Sequence, residues 1–439
     1  MTAARLLVLV AYPPSSEAPH GGSRVAAQLV GRLAEANRVA LVCLRGPDEP
    51  AVDASIAERC EHVLEVPRPR LDPRHARFRR LAGLAAGKPS WVVDSAVREC
   101  HAELRALLSV WQPDLVHAHY QVMGQYLSAL REQPVPRVLI VYEPAASRAA
   151  AAVPKAPAGP RRLLRHADFL AWRRFERRLL ERVQAVTVFT ERDREELSRL
   201  GTATPISVIP FGVEPPDRAL DPLGSGRDVV LFLGNFVHRP NVDAALWLGG
   251  TIFPRLRALY PHAALELVGP APPPELRALE GGGVVVTGAV DDVRPYLDRA
   301  NVFVAPLRTG GGMRLKVLEA LAAGKAVVAS RLAVEGLDVR DREELLLADT
   351  EEEVVEAVSL LLSDPARRQA VAERARRFAL ERLGWERALA SYAHLHTSLL
   401  SASAAERDHH GVSGEAAGAE AATAPTSVPA APEDVEEPS

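Results

Sequence analysis

Short β-branched runs alternate with helix-period segments along this chain, and the alternation happens twice. That rhythm limits the fold more than any other feature, because parallel strands need a crossover helix between them. In the first half the runs are RLLVLVAY, NRVALVCL, DLVHAHY, RVLIVYE and AVTVFT. PISVIPFGVEP (205–215) then ends in Pro and Gly and reads as a hinge. The alternation restarts with DVVLFLGNF, AALELVG, GVVVTGAV, NVFVAPL, AVVAS and LLLA. The expected fold class is α/β with two consecutive Rossmann-like domains, 1–212 and 213–385. The length of 439 residues suits two domains better than one core.

Composition narrows the class. The chain is 47% apolar and 25% charged, as soluble globular proteins are. No run approaches the roughly 18 to 20 apolar residues that span a bilayer. ARLLVLVAYP near the start has no small-residue cleavage site after it and reads as a first buried strand. Cys43, Cys60 and Cys100 lie far apart without metal-ligand spacing, which suits reduced thiols and a cytoplasmic place. The net charge is −3, yet residues 1–200 hold 30 Lys+Arg against 22 Asp+Glu. The excess gathers in RPRLDPRHARFRR (68–80) and RRLLRHADFLAWRRFERRLLER (161–182). Such stretches serve as solvated faces or as a surface drawn to anionic lipid headgroups at the inner membrane face. Nucleic acid is not expected as a partner, since no recognised binding motif accompanies the charge. From residue 401 to 439 the chain turns to Ala, Glu, Ser and Pro, a composition expected to stay disordered.

One segment asks for a ligand. In NVFVAPLRTGGGMRLKVLEALAAGKAVVAS, three glycines stand between a strand and a helix. Gly310, Gly311 and Gly312 therefore fall at the carboxyl edge of a parallel sheet, where open α/β sheets bind ligands. A tight turn needs one glycine; three leave backbone N–H groups bare for an anion. The segment does not fit GxxxxGK[ST] or GxGxxG. Lys316 and Glu319 share a face of the following helix, either as a surface ion pair or as a cation for phosphate with a carboxylate for sugar hydroxyls. Gly21 and Gly22, in PHGGSRVAAQLVGRLAE, follow the first strand in the same topological place. One such turn from each domain would grip a diphosphate across a cleft.

With HGGSR, DLVHAH, AVTVFTERDREEL, VIPFGVE, EGL and the block VTGAVDDVRPYLDRANVFVAPLRTGGGMRLKVLEALAAGKAVVAS, the chain resembles retaining glycosyltransferases of GT-B architecture, group 1 or family four. The likeness covers roughly residues 5 to 400. It implies two Rossmann-like domains facing across a cleft, with the last helix (386–400) returning to the N-terminal domain. It implies a nucleotide-diphosphate sugar as co-substrate, held mostly by the second domain, retention of configuration and no obligatory metal. Asp291 and Asp292 fit helix capping rather than a metal-binding DxD. By resemblance Glu319 binds the ribose hydroxyls. The family's first glutamate falls on Gly311, and its histidine falls near Tyr142, beside Glu143; these are the expected catalytic positions. The family's Arg and Lys pair falls on Asn235 and Pro240. His238, Arg239, Arg314 or Lys316 would then supply the cationic charge, with Gly310, Gly312 and Met313 at the turn.

His117 and His119 alternate on DLVHAHY and so point to one side of the sheet. Packing in the core and acceptor binding at the cleft edge are the two readings. The expected acceptor is a saccharide, a lipid-linked intermediate or a small molecule. Another GT-B enzyme such as a nucleotide-sugar epimerase, or a binding protein that keeps only the cleft, stands as the alternative.

Overall fold

The computed structural model describes residues 3–420 apart from 17, 19, 20, 132, 217, 225 and 311–313, with the backbone only over 406–420. Two parallel sheets organise it. The first contains β1 (Arg5–Val10), β2 (Arg38–Arg45), β3 (Cys60–Pro67), β4 (Leu115–His119), β5 (Arg137–Val141), β6 (Ala185–Val188) and β7 (Ile206–Val208), in the order β3-β2-β1-β4-β5-β6-β7. The second contains β8 (Val229–Leu233), β9 (Ala264–Val268), β10 (Val284–Gly288), β11 (Val302–Ala305), β12 (Ala326–Ala329) and β13 (Leu346–Leu347), in the order β10-β9-β8-β11-β12-β13. In each sheet the order reverses beside the first strand, which opens a crevice at the carboxyl ends there.

Strands buried on both faces explain the near-continuous apolar runs. Along β1, Leu7 and Leu9 enter one core, while Leu6, Val8 and Val10 enter the core on the opposite face. All five are fully buried. Two strands lie outside the sequence reading. β3 is an edge strand, half exposed, and its CEHVLEVP carries charges that blur the alternation. β7 is the opposite edge and occupies the start of the expected hinge, where Ile206, Ser207 and Val208 pair with β6.

The chain comes back at its end. The helix Trp385–Glu420 lays Trp385, Ala388 and Tyr392 into the first domain's core, with Leu389, Leu395 and Leu399 packed beside them. Its packed apolar residues stop at Leu399, although the helical backbone continues to Glu420; residues 421–439 of the expected tail lie outside the described residues. Trp385 meets Phe211 edge-on at 4.7 Å between ring centroids. A Cβ on Gly212 would lie 2.3 Å from the Trp385 ring, so the residue after Phe211 has to be glycine. Among the described residues no helix is long and apolar enough to cross a membrane.

Candidate functional site

The site is built where the helix Leu315–Ala322 meets the first domain. Leu315 packs against the first domain's core, and Thr190 touches Gly336 of the second domain. Arg192 bridges the two domains by donating to Glu335 at 2.6 Å. Gly310 starts the turn into the helix at φ +108°, a conformation that favours glycine. Gly311, Gly312 and Met313 lie outside the described residues. Arg314 precedes the first turn of the helix and lies between Glu143 of the first domain and Glu335 of the second.

Lys316 and Glu319 face the cleft together. The ammonium of Lys316 donates to Asn241 Oδ1 at 2.6 Å and sits 4.5 Å above the Phe232 ring. Burial, aided by the nearby Arg314 charge, pushes this lysine down to about 7. Asn241 is itself fixed, donating to the Asn235 carbonyl at 2.7 Å. Water reaches Glu319, yet surrounding protein raises its carboxyl above the ordinary range, against the opposing pull of Arg24 and Lys316. Arg24 belongs to the first helix (Gly21–Ala36) of the other domain. The charge of Arg24 thus reaches Glu319 from across the cleft.

Other expected positions fall differently. Gly21 and Gly22 are the opening residues of the first helix rather than a loop before it. A Cβ on Gly22 would lie 1.7 Å from the Tyr120 hydroxyl, so this glycine makes room for Tyr120 rather than facing solvent. His238 and Arg239 are exposed at the start of the helix Arg239–Trp247, where the His238 carbonyl accepts from the N–H of Asn241, the partner of Lys316, at 2.9 Å. His117 and His119 are fully buried, which removes them from acceptor binding. His119 Nδ1 pairs with the Tyr142 hydroxyl at 2.9 Å, and His117 Nε2 with His396 Nε2 at 2.9 Å. Tyr142 therefore turns its hydroxyl into the core and leaves Glu143 as the group at the cleft. Glu143 is half-buried; burial raises its carboxyl, while Arg148 and Arg314 pull the other way. Asp292 accepts from the Arg294 backbone N–H at 2.9 Å, a turn contact rather than a metal site. No group of three His, Cys, Asp or Glu able to hold a metal occurs among the described residues.

Sequence reasoning passed over Arg24, Asn241 and Arg148. Arg24 was within reach, standing two residues after the glycine pair in HGGSR. Asn241 follows Pro240, the position of an expected cation, and its uncharged amide gives no sign of a phosphate site.

Two parallel-sheet α/β domains meeting at a cleft in this way define the GT-B architecture. Residues 19–216 match the family model Glycosyltransferase Family 4, and residues 227–364 match Glycosyl transferases group 1. These matches and the fold place the chain among the GT-B glycosyltransferases. Over 133 residues it is 35% identical to the phosphatidyl-myo-inositol mannosyltransferase of Mycolicibacterium smegmatis, covering 28% of this chain and 34% of the relative. The chain thus spans about a third of the length of that curated relative. Among solved structures, sucrose-phosphate synthase from Thermosynechococcus elongatus is similar at TM-score 0.64 and 21% identity, with 91% of this chain and 100% of that chain covered. The Anabaena protein HepE, in complex with UDP, is similar at TM-score 0.61 and 15% identity, with 90% and 100% covered. WaaG, a glycosyltransferase involved in lipopolysaccharide biosynthesis, is similar at TM-score 0.60 and 16% identity, with 88% and 98% covered.

Proposed function

We propose that this protein transfers a sugar from a nucleotide-diphosphate sugar to a saccharide, lipid-linked or small-molecule acceptor, retaining the anomeric configuration and using no obligatory metal. The observation that carries the reading is the arrangement around Lys316. A lysine held near neutrality beside a glycine turn, with Glu319 one helical turn on, offers one cation for a diphosphate and one carboxylate for ribose hydroxyls. In the reaction the acceptor hydroxyl oxygen bonds to the anomeric carbon as the bond to the diphosphate breaks. The electron pair leaves with the diphosphate, which also takes the proton. Lys316 stabilises that leaving charge, aided by Arg314. Glu143, across the cleft, adds a carboxylate within electrostatic reach of Arg314.

Release of nucleoside diphosphate from UDP-, GDP-, ADP- and TDP-sugars tests the reading, with proton NMR of the product fixing its anomeric configuration. Turnover with chelator present and a retained anomer are the expected results. An epimerised nucleotide sugar without release would favour the epimerase alternative, and binding without turnover the binding-protein alternative.

We also propose a peripheral place at an anionic membrane surface on the cytoplasmic side. Phe78 is 72% and Leu163 71% exposed, on the helices Pro73–Ala85 and Pro160–Leu180. These two helices touch, and they also expose Arg74, Arg77, Arg161 and Arg165. Vesicles containing phosphatidylglycerol should bind the protein, binding should fall as salt screens the charge, and Phe78→Ser with Leu163→Ser should release it. Absence of binding even at low salt would remove the membrane from the reading.

A further inference from the structure

At the carboxyl edge of the first sheet, three partly exposed aromatic rings that the donor site does not use stand together. Tyr12 follows β1, Tyr120 follows β4, and Trp91 reaches them from the helix Ser90–Asp94. Tyr12 and Trp91 lie 6.4 Å apart at 25° between planes. Tyr120 meets Tyr12 at 5.9 Å and Trp91 at 5.6 Å, edge-on to each. Beneath, Tyr120 stacks on Tyr142 at 4.1 Å and 12°.

The wall is fixed from behind. Tyr120 has φ +68° and ψ +146°, a backbone that side chains other than glycine rarely adopt. Such a residue costs of order 1–3 kcal/mol and persists where its surroundings enforce it, often at ligand sites. Its N–H still donates to the Ile140 carbonyl at 3.0 Å, and Gly22 clears the space for its hydroxyl. The Trp91 helix is tied down by the Ser90 N–H, which donates to Asp168 at 2.7 Å.

Two arginines flank the rings and differ in how they are paired. Arg68 lies 5.6 Å over Tyr12, but donates to Glu49 at 2.7 Å and is paired with it. Arg148 lies 4.9 Å over Trp91, is exposed, and makes no ion pair among the described residues. Its helix (Ala145–Ala152) is held by the buried carboxylate of Glu176, which accepts from the Ala145 and Ala146 N–H groups at 2.7 and 2.8 Å. A guanidinium fixed on an aromatic face, with its N–H fork unused, is a receptor for a phosphate or carboxylate.

We infer that Tyr12, Trp91 and Tyr120 form the acceptor subsite and that Arg148 selects an acceptor sugar carrying a phosphate or carboxylate group. The inference rests on the glycosyltransferase reading for the word acceptor, but its binding test does not. The aromatic rings receive an apolar face of the sugar, while Arg148 pairs with the anion at the rim. Glu143, on the same side, repels a second negative charge placed deeper in the cleft.

The full-length protein is titrated with methyl α-glucoside, glucose 1-phosphate and glucuronate, followed by tryptophan fluorescence. A further arm presents polyprenyl phosphoglucose in phosphatidylcholine vesicles, and separates a lipid-borne phosphate from a free one. The anionic sugars, in at least one presentation, should bind at least tenfold tighter than the neutral glucoside. Arg148→Gln, a change at an exposed position, should abolish that preference, and Trp91→Leu should weaken neutral and anionic probes alike. The melting-temperature rise given by UDP should stay unchanged in Arg148→Gln. Equal affinity for charged and neutral sugars, a preference that survives Arg148→Gln, or no binding of any sugar overturns the inference. Loss of the UDP response in the parent protein would instead strike the donor reading and leave the sugar result standing.

Discussion

The ammonium of Lys316 is held in a state that an anion can change. With a value near 7 it is about half protonated in neutral solution, and a diphosphate beside it raises that value. Bound ligand therefore favours the protonated form. Affinity is highest below pH 7 and falls as pH rises above it, by at most about tenfold per pH unit. The phosphate's own second ionisation, near 6, is complete over that range. Calorimetric titration with UDP between pH 7 and 8.5, in buffers of different ionisation heat, should show proton uptake. A flat affinity and no uptake would place the diphosphate elsewhere. Glu319 has a different test. A hydrogen bond to a charged group is worth about 1.5–3 kcal/mol, or roughly 10 to 150-fold in affinity. Glu319→Gln should weaken a ribonucleotide by about that factor, a 2′-deoxyribonucleotide much less, and leave the melting temperature in place. If Glu319 serves mainly as the partner of Arg24, the melting temperature drops and both nucleotides suffer equally. The face that Glu319 shares with Lys316 was available from helix spacing, while its proposed ribose role comes from the family resemblance. Its facing Arg24 was available from neither, since that depends on how the two domains meet.

The returning helix Trp385–Glu420 docks through groups whose neutrality matters. His396 and His117 touch in a buried place, and burial lowers both; His396 falls to about 4. In the unfolded chain each titrates near 6.5. Their contribution to stability is therefore intact above about pH 6.5, and is lost as acid protonates the unfolded chain first. Melting temperatures measured from pH 8 to 5 should fall at the acid end, and His396→Leu should flatten that slope. An unchanged slope in the variant would show that other groups govern acid stability. Elements were legible in proportion to burial. β1, β2, β4, β5 and β6 announce themselves by unbroken apolar runs. β3 does not, because its Glu61 and Glu65 are engaged along the sheet edge by Arg38 and Arg45, and an edge strand needs no apolar outer face. The histidines of DLVHAHY show the limit of alternation as a guide: it gives a common side for His117 and His119 but not whether that side is wet.

For the molecule as a whole, the α/β doubling was readable because two sheets repeat one rhythm. The aromatic wall was not, because Tyr12, Trp91 and Tyr120 are distant in sequence and only the strand order β2-β1-β4 gathers their neighbourhood. The domains touch through exposed charge, as in the Arg192–Glu335 pair, about 40% accessible on each side, and such pairs are worth about 0–1 kcal/mol. The covalent return of the chain is the stronger tie. It also imposes an order on synthesis. The first sheet leaves the ribosome early, but the face bearing Leu6, Val8 and Val10 lacks part of its cover until Trp385, Ala388 and Tyr392 follow. The whole second domain is made in the interval. A nascent chain arrested before residue 385 should expose that apolar face to protease and to chaperone, whereas one released beyond 405 should not. A premature stop near the end of this message therefore disables the half of the protein that was translated first.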